Sequence, residues 1–169
     1  MLEARNLRYP MKSPVTPLAH NNELPPVDEA DCALPCGHVL FVGAGPGQPD
    51  LLTLRAIRAL EQADIVVHDQ LVSPAVLNII HPNAKKILLS EILECSSGND
   101  AGLTLGTYLA ECAANGHTVV RLKGGDPTIF ARLREEIEPL IKCSISFEIV
   151  PGITSATAAA AAAVTPLTS

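Results

Sequence analysis

Aromatic residues are scarce in this 169-residue chain: they make up 3%, and tryptophan is absent. A platform for stacking nucleic-acid bases is therefore not expected. Positive charge is short as well, with 12 Lys and Arg against 18 Asp and Glu and a net charge of -6. A phosphate backbone recruits Lys and Arg, so nucleic acid is not expected as a partner. No apolar run approaches the ~20 residues that cross a bilayer, and no membrane segment is predicted. The N-terminus has no continuous apolar stretch of the secretory kind. The five cysteines, Cys32, Cys36, Cys95, Cys112 and Cys143, are odd in number and irregular in spacing. They form neither a disulfide framework nor a zinc-ligand pattern. Free thiols in a reducing cytoplasm are the expectation, with no metal.

What is present is a globular balance, 47% hydrophobic and 18% charged. Residues 1–36 hold six of the fourteen prolines and no amphipathic period, so they are expected to form a flexible tail. Residues 37–169 carry the pattern of one domain. His38 to Val42, Asp64 to His68, Lys86 to Leu89, Thr118 to Leu122 and Ser146 to Val150 read as short apolar strands. Helical patterns lie between and after them: Leu51 to Ala63, Pro74 to Ile80, a face through Leu105, Leu109 and Cys112, Thr128 to Lys142, and Ile153 to Val164. Residues 90–102 are polar and read as a loop. Strands alternating with helices predict an α/β fold, a mostly parallel five-stranded sheet with flanking helices. Ligands of such sheets lie beyond the carboxyl ends of the strands.

Four segments fall at those ends. Gly43-Ala44-Gly45-Pro46-Gly47-Gln48 follows the first strand. It fails the dinucleotide pattern at Gln48, and it lacks the Lys of a phosphate loop. A tight strand-to-helix turn is as good a reading of this segment alone. Arg121-Leu122-Lys123-Gly124-Gly125-Asp126-Pro127 ends the fourth strand, and Asp126 can cap a following helix or accept from a ligand. Val150-Pro151-Gly152-Ile153-Thr154-Ser155 opens the last helix, where Thr154 and Ser155 can cap or bind. Asp69, after the second strand, is a turn residue or a base.

Taken in order and spacing, these segments resemble the tetrapyrrole (corrin/porphyrin) methylase family from about His38 to Ser169, nearest to its uroporphyrinogen-III C-methyltransferase branch. The resemblance implies the N-terminal domain of such an enzyme, with S-adenosyl-L-methionine as methyl donor and no metal. It implies C-methylation of uroporphyrinogen III to precorrin-2, on the way to sirohaem and cobalamin. Pro46, Gly124, Gly125, Asp126, Ile129, Thr154 and Ser155 match cofactor-contact positions, and Asp69 matches the proton acceptor. A homodimer is implied for a full-length member.

Three departures qualify this. Ser90-Glu91-Ile92 stands in register with the family's Gly-Lys-Arg, so Glu91 replaces the proposed proton-donor lysine. Leu133 and Arg134 replace two family glycines. Val164 to Ser169 resembles the boundary before a second domain, so that domain is expected to be absent, with weak cofactor binding and little turnover from these residues alone. The competing expectations are a catalytically impaired α/β binding module that pairs with another chain, and a nicotinamide-linked enzyme, which Gln48 disfavours.

Overall fold

The computed structural model describes residues 37–95 and 104–168. The tail expected at 1–36 and most of the loop expected at 90–102 lie outside the described residues. The strands are β1 (His38–Gly43), β2 (Ile65–His68), β3 (Lys85–Leu88), β4 (Thr118–Lys123) and β5 (Ser146–Val150). Every pair is parallel, and the order is β3-β2-β4-β1-β5. The helices are α1 (Leu54–Gln62), α2 (Pro74–Leu77), α3 (Leu89–Cys95), α4 (Leu105–Ala114), α5 (Leu133–Lys142) and α6 (Ser155–Ala162). The expected α/β architecture is therefore observed. Among the described residues, no helix is long and apolar enough to cross a membrane.

The central strands explain the layering. β1 is buried along its whole length. Leu40 and Val42 join α1 and α2 in one core, while Val39 and Phe41 join α4 in the other. This is the strand alternation of period two, apolar on both faces because helices cover both. Full burial of one such side chain contributes ~1.5–3 kcal/mol. α1 starts where Thr53 accepts the Ala56 N–H at 3.1 Å. α4 ends at Asn115, and Gly116 follows with φ +88°, as its Asn-Gly stop predicts.

Two elements differ from expectation. α3 forms where a loop is predicted, because Ile92 turns inward to the second core while Ser90, Glu91 and Glu94 make that segment look polar. α5 begins at Leu133, not Thr128. Asp126 accepts from Thr128 N–H at 2.7 Å, and Phe130 and Arg132 take φ of 52° and 49°, which no continuous right-handed helix allows. Pro139 lies inside α5 without ending it.

His38 opens β1 as a buried residue, with Nδ1 2.7 Å from Ser146 Oγ on β5. Burial lowers its pKa below the ordinary imidazole value, with Glu148 on β5 opposing. The unfolded chain therefore takes a proton more readily than the folded one. Stability is expected to be complete above about pH 6.5 and to decline as pH falls below it, until the folded imidazole also protonates. His38→Asn should flatten that slope in urea denaturation between about pH 5 and pH 8. An unchanged slope would contradict the assignment.

Candidate functional site

Parallel strands bring all five carboxyl ends to one rim. At its centre lie neighbours β1 and β4, whose connections leave in opposite directions, to β2 and to β5. Such a switch point marks the ligand crevice of open α/β sheets. The loops beyond it are tied together. Gly45 N–H donates to Gly125 C=O at 3.1 Å, and Gly125 N–H returns a bond to Gly45 C=O at 2.9 Å.

The glycines of these loops pack closely on one another. A Cβ on Gly43 would lie 2.6 Å from both Gly125 O and Gly152 Cα, and one on Gly152 would lie 2.2 Å from Gly125 O. Gly124 is the exception: it is exposed, and a Cβ there would meet nothing within 4 Å. The open ledge of the rim is at Gly124.

The predicted cofactor positions lie in these loops. Pro46 follows the Gly45–Gly125 bridge and is exposed. Thr154 Cα and Ser155 N lie 3.8 and 3.9 Å from where a Gly125 Cβ would be. Thr154 occupies the N-cap position of α6, yet its side chain makes no cap bond. Ile129 is 45% exposed, and its N–H reaches Asp126 C=O at 3.2 Å.

Of the two roles open to Asp126, the helix cap is not observed. No helix starts there. Its Oδ1 accepts from Thr128 N–H and from the Thr128 hydroxyl, and its Oδ2 accepts from Gly152 N–H at 3.0 Å. The carboxylate thus clasps the β4 and β5 loops. Burial pushes its pKa up, but the bonds from Thr128 and Gly152 outweigh this and hold it below the usual carboxylate value.

Asp69 lies at the end of β2 with its side chain 29% exposed. Its Oδ1 is 2.5 Å from Arg121 Nη2, and its Oδ2 is 3.4 Å from Gly124 N. Arg121 is 1% exposed within β4. It also donates from Nε to Glu136 Oε2 at 3.1 Å and from Nη1 to Leu122 C=O at 3.0 Å. Lys123 is paired with the other Glu136 oxygen. Burial pulls the Lys123 ammonium below its ordinary pKa, and Glu136 opposes that shift. Two cations thus meet two anions, the balance that buried charge requires. Sequence pattern assigns Arg121, Lys123 and Glu136 no role. The one signal is a pair of charges two residues apart in an otherwise apolar strand.

Leu133 and Arg134, which replace family glycines, open α5. Positive φ falls on Phe130 and Arg132 instead, so these replacements introduce no left-handed strain. Glu91 is exposed in the first turn of α3, where the helix dipole favours an acid.

A cavity of about 670 Å³ opens at the opposite end of the sheet, lined by Asp64, His81, Lys85, Tyr108 and His117 among others. Asp64 there is already bonded to Thr118 N–H at 2.8 Å. Burial, with a bond to Cys112, pushes the Tyr108 hydroxyl up to about 12. None of the motif segments reaches that end.

Known proteins match the same region. The profile of the Tetrapyrrole (Corrin/Porphyrin) Methylases matches residues 38–169. A siroheme synthase of Methylococcus capsulatus is 50% identical over 132 residues, which cover 78% of this chain and 27% of that protein. The uroporphyrin-III-C-methyltransferase of Thermus thermophilus superposes with a TM-score of 0.67 at 41% identity, covering 79% of this chain and 55% of that one. A structure of the Thermus thermophilus enzyme complexed with S-adenyl homocysteine gives a TM-score of 0.58 at 39% identity, over 72% of this chain and 51% of that one. The chain thus spans about a quarter of that siroheme synthase, at 27%, and about half of these solved structures, at 55% and 51%.

Proposed function

The chain belongs to the tetrapyrrole (corrin/porphyrin) methylase family, and from that premise we propose that it forms the donor-binding part of an S-adenosyl-L-methionine-dependent C-methyltransferase that converts uroporphyrinogen III to precorrin-2. The observation that carries this reading is the pair of loops bridged at Gly45 and Gly125, with Gly124, Pro46 and Ile129 exposed on them and Thr154 and Ser155 beside Gly125. These residues fit the donor. Pro46 and Ile129 offer apolar surface to an adenine, while Thr154 and Ser155 offer hydroxyls to its polar groups. Asp126 contributes by holding the two glycine loops in place.

S-Adenosyl-L-methionine, when bound, would supply a methyl group already activated by its sulfonium. The protein's task is alignment and exclusion of water. The tetrapyrrole ring sheds one proton for each methyl gained. Asp69 Oδ2, whose one hydrogen-bond contact among the described residues is Gly124 N at 3.4 Å, would accept it.

One observation favours a second reading. Glu91, in register with the family's lysine, puts an acid where a polycarboxylate substrate would gain from a base. On that reading the chain is a catalytically impaired module that binds the donor and needs a partner chain.

The two readings separate in one experiment. The protein is incubated anaerobically with uroporphyrinogen III and methyl-labelled S-adenosyl-L-methionine, and products are read by mass spectrometry. A doubly labelled tetrapyrrole, formed slowly by these residues alone, is the expected result. Calorimetric binding of S-adenosyl homocysteine without labelled product would select the second reading. Neither binding nor product would refute both.

A further inference from the structure

We propose that Glu136 and Arg121 are positioning residues: Glu136 on α5 fixes the guanidinium of Arg121, and Arg121 in turn fixes the Asp69 carboxylate at the rim. This inference rests on Asp69 being the proton acceptor proposed above.

Arg121 is the largest fully buried side chain among the described residues. Its neighbours in β4, Val119, Val120 and Leu122, fill the cores as aliphatics. Packing alone would be met by another aliphatic. The guanidinium is a planar fork, and each edge here meets a different element. Nη2 reaches Asp69 beyond β2, Nη1 reaches the β4 backbone, and Nε reaches Glu136 on α5. Glu136 spends its second oxygen on Lys123, so both its lone-pair faces are committed. A carboxylate with a 29% exposed side chain would otherwise sample several rotamers. A chain of charged bonds from a helix to the rim selects one of them. Residues that orient a reactive group through another group commonly change its performance by ~10–100-fold.

Glu136→Gln keeps the shape of the side chain and removes its charge. The control is Glu135→Gln, the adjacent acid, which is exposed and pairs with Arg132 outside the network. The first readout uses the protein without substrate: the ¹³C resonance of the Asp69 carboxyl carbon, assigned by its loss in Asp69→Asn. It should move in Glu136→Gln and stay in place in Glu135→Gln. The second readout is turnover. Glu136→Gln should lower kcat by ~10–100-fold with both KM values held within about twofold, and Glu135→Gln should leave kcat unchanged.

If Glu136→Gln fails to fold, the double variant Glu136→Gln/Lys123→Met restores charge balance, and the Asp69 resonance should still move. An Asp69 resonance identical in the Glu136 and Glu135 variants overturns the proposal. So does a moved resonance in Glu136→Gln with full turnover. Absence of methyl transfer by the unaltered protein would strike the proposed function, whereas the resonance comparison would still decide whether Glu136 positions Asp69.

Discussion

Replacing Gly152 with alanine is expected to lower the stability of the domain by more than ~3 kcal/mol, beyond the usual range for a forced extra methyl. The reason is that the three atoms nearest the new Cβ are all backbone. Gly125 O would lie at 2.2 Å, Gly43 Cα at 2.8 Å and Gly43 C at 3.0 Å. None can swing aside as a side chain would. Moving Gly125 breaks its paired bonds with Gly45, and moving Gly43 disturbs the end of β1. Moving Gly152 itself takes its N–H from Asp126. The matched control is Gly124→Ala, whose Cβ would meet nothing within 4 Å and whose φ is not positive. That variant should stay within ~0.5 kcal/mol of the parent. Urea denaturation of both variants checks the contrast. Equal midpoints would show that the three loops are looser than their contacts imply.

The same contrast shows where sequence reasoning reaches and where it stops. Glycines after strands announce that a backbone passes close to something. They do not say what. Gly43 and Gly152 close on Gly125 and on each other, while a Cβ on Gly124 would meet nothing within 4 Å. The sheet was legible because β1 and β2 are compact apolar runs whose pattern does not depend on distant partners. α3 was hidden because its packed apolar residues, Leu89 and Ile92, are interspersed with Ser90, Glu91 and Glu94. The start of α5 was misread because Asp126 bonds locally to Thr128 and competes with helix formation. The order of four motifs placed Asp69 at the rim with Gly124. The charge network behind Asp69 was out of reach, because Arg121 is 52 residues from Asp69 and 15 from Glu136. No periodicity links positions that far apart. Only folding the sheet brings them to contact.

Replacing Arg121 with methionine is expected to cost about 3 kcal/mol, the lower end of the 3–5 kcal/mol seen when one partner of a buried ion pair is removed. Glu136 retains Lys123, so its charge stays matched. Asp69 loses its only cationic bond partner among the described residues, but its 29% exposure lets water recover part of the loss. If this account is right, removing the stranded charge should restore stability. The double variant Arg121→Met/Asp69→Asn leaves Lys123 and Glu136 as a neutral pair. It should be more stable than Arg121→Met alone, with a coupling of ~1–3 kcal/mol in a double-mutant cycle. Additive effects would mean that Arg121 acts through packing and not through Asp69. Recovery without methyl transfer would carry a further meaning. An apolar residue would then serve the fold about as well as arginine, since well-packed apolar replacements of buried ion clusters are often neutral or better. The buried guanidinium would be explained by what it orients at the rim, and Asp69 is the group it orients.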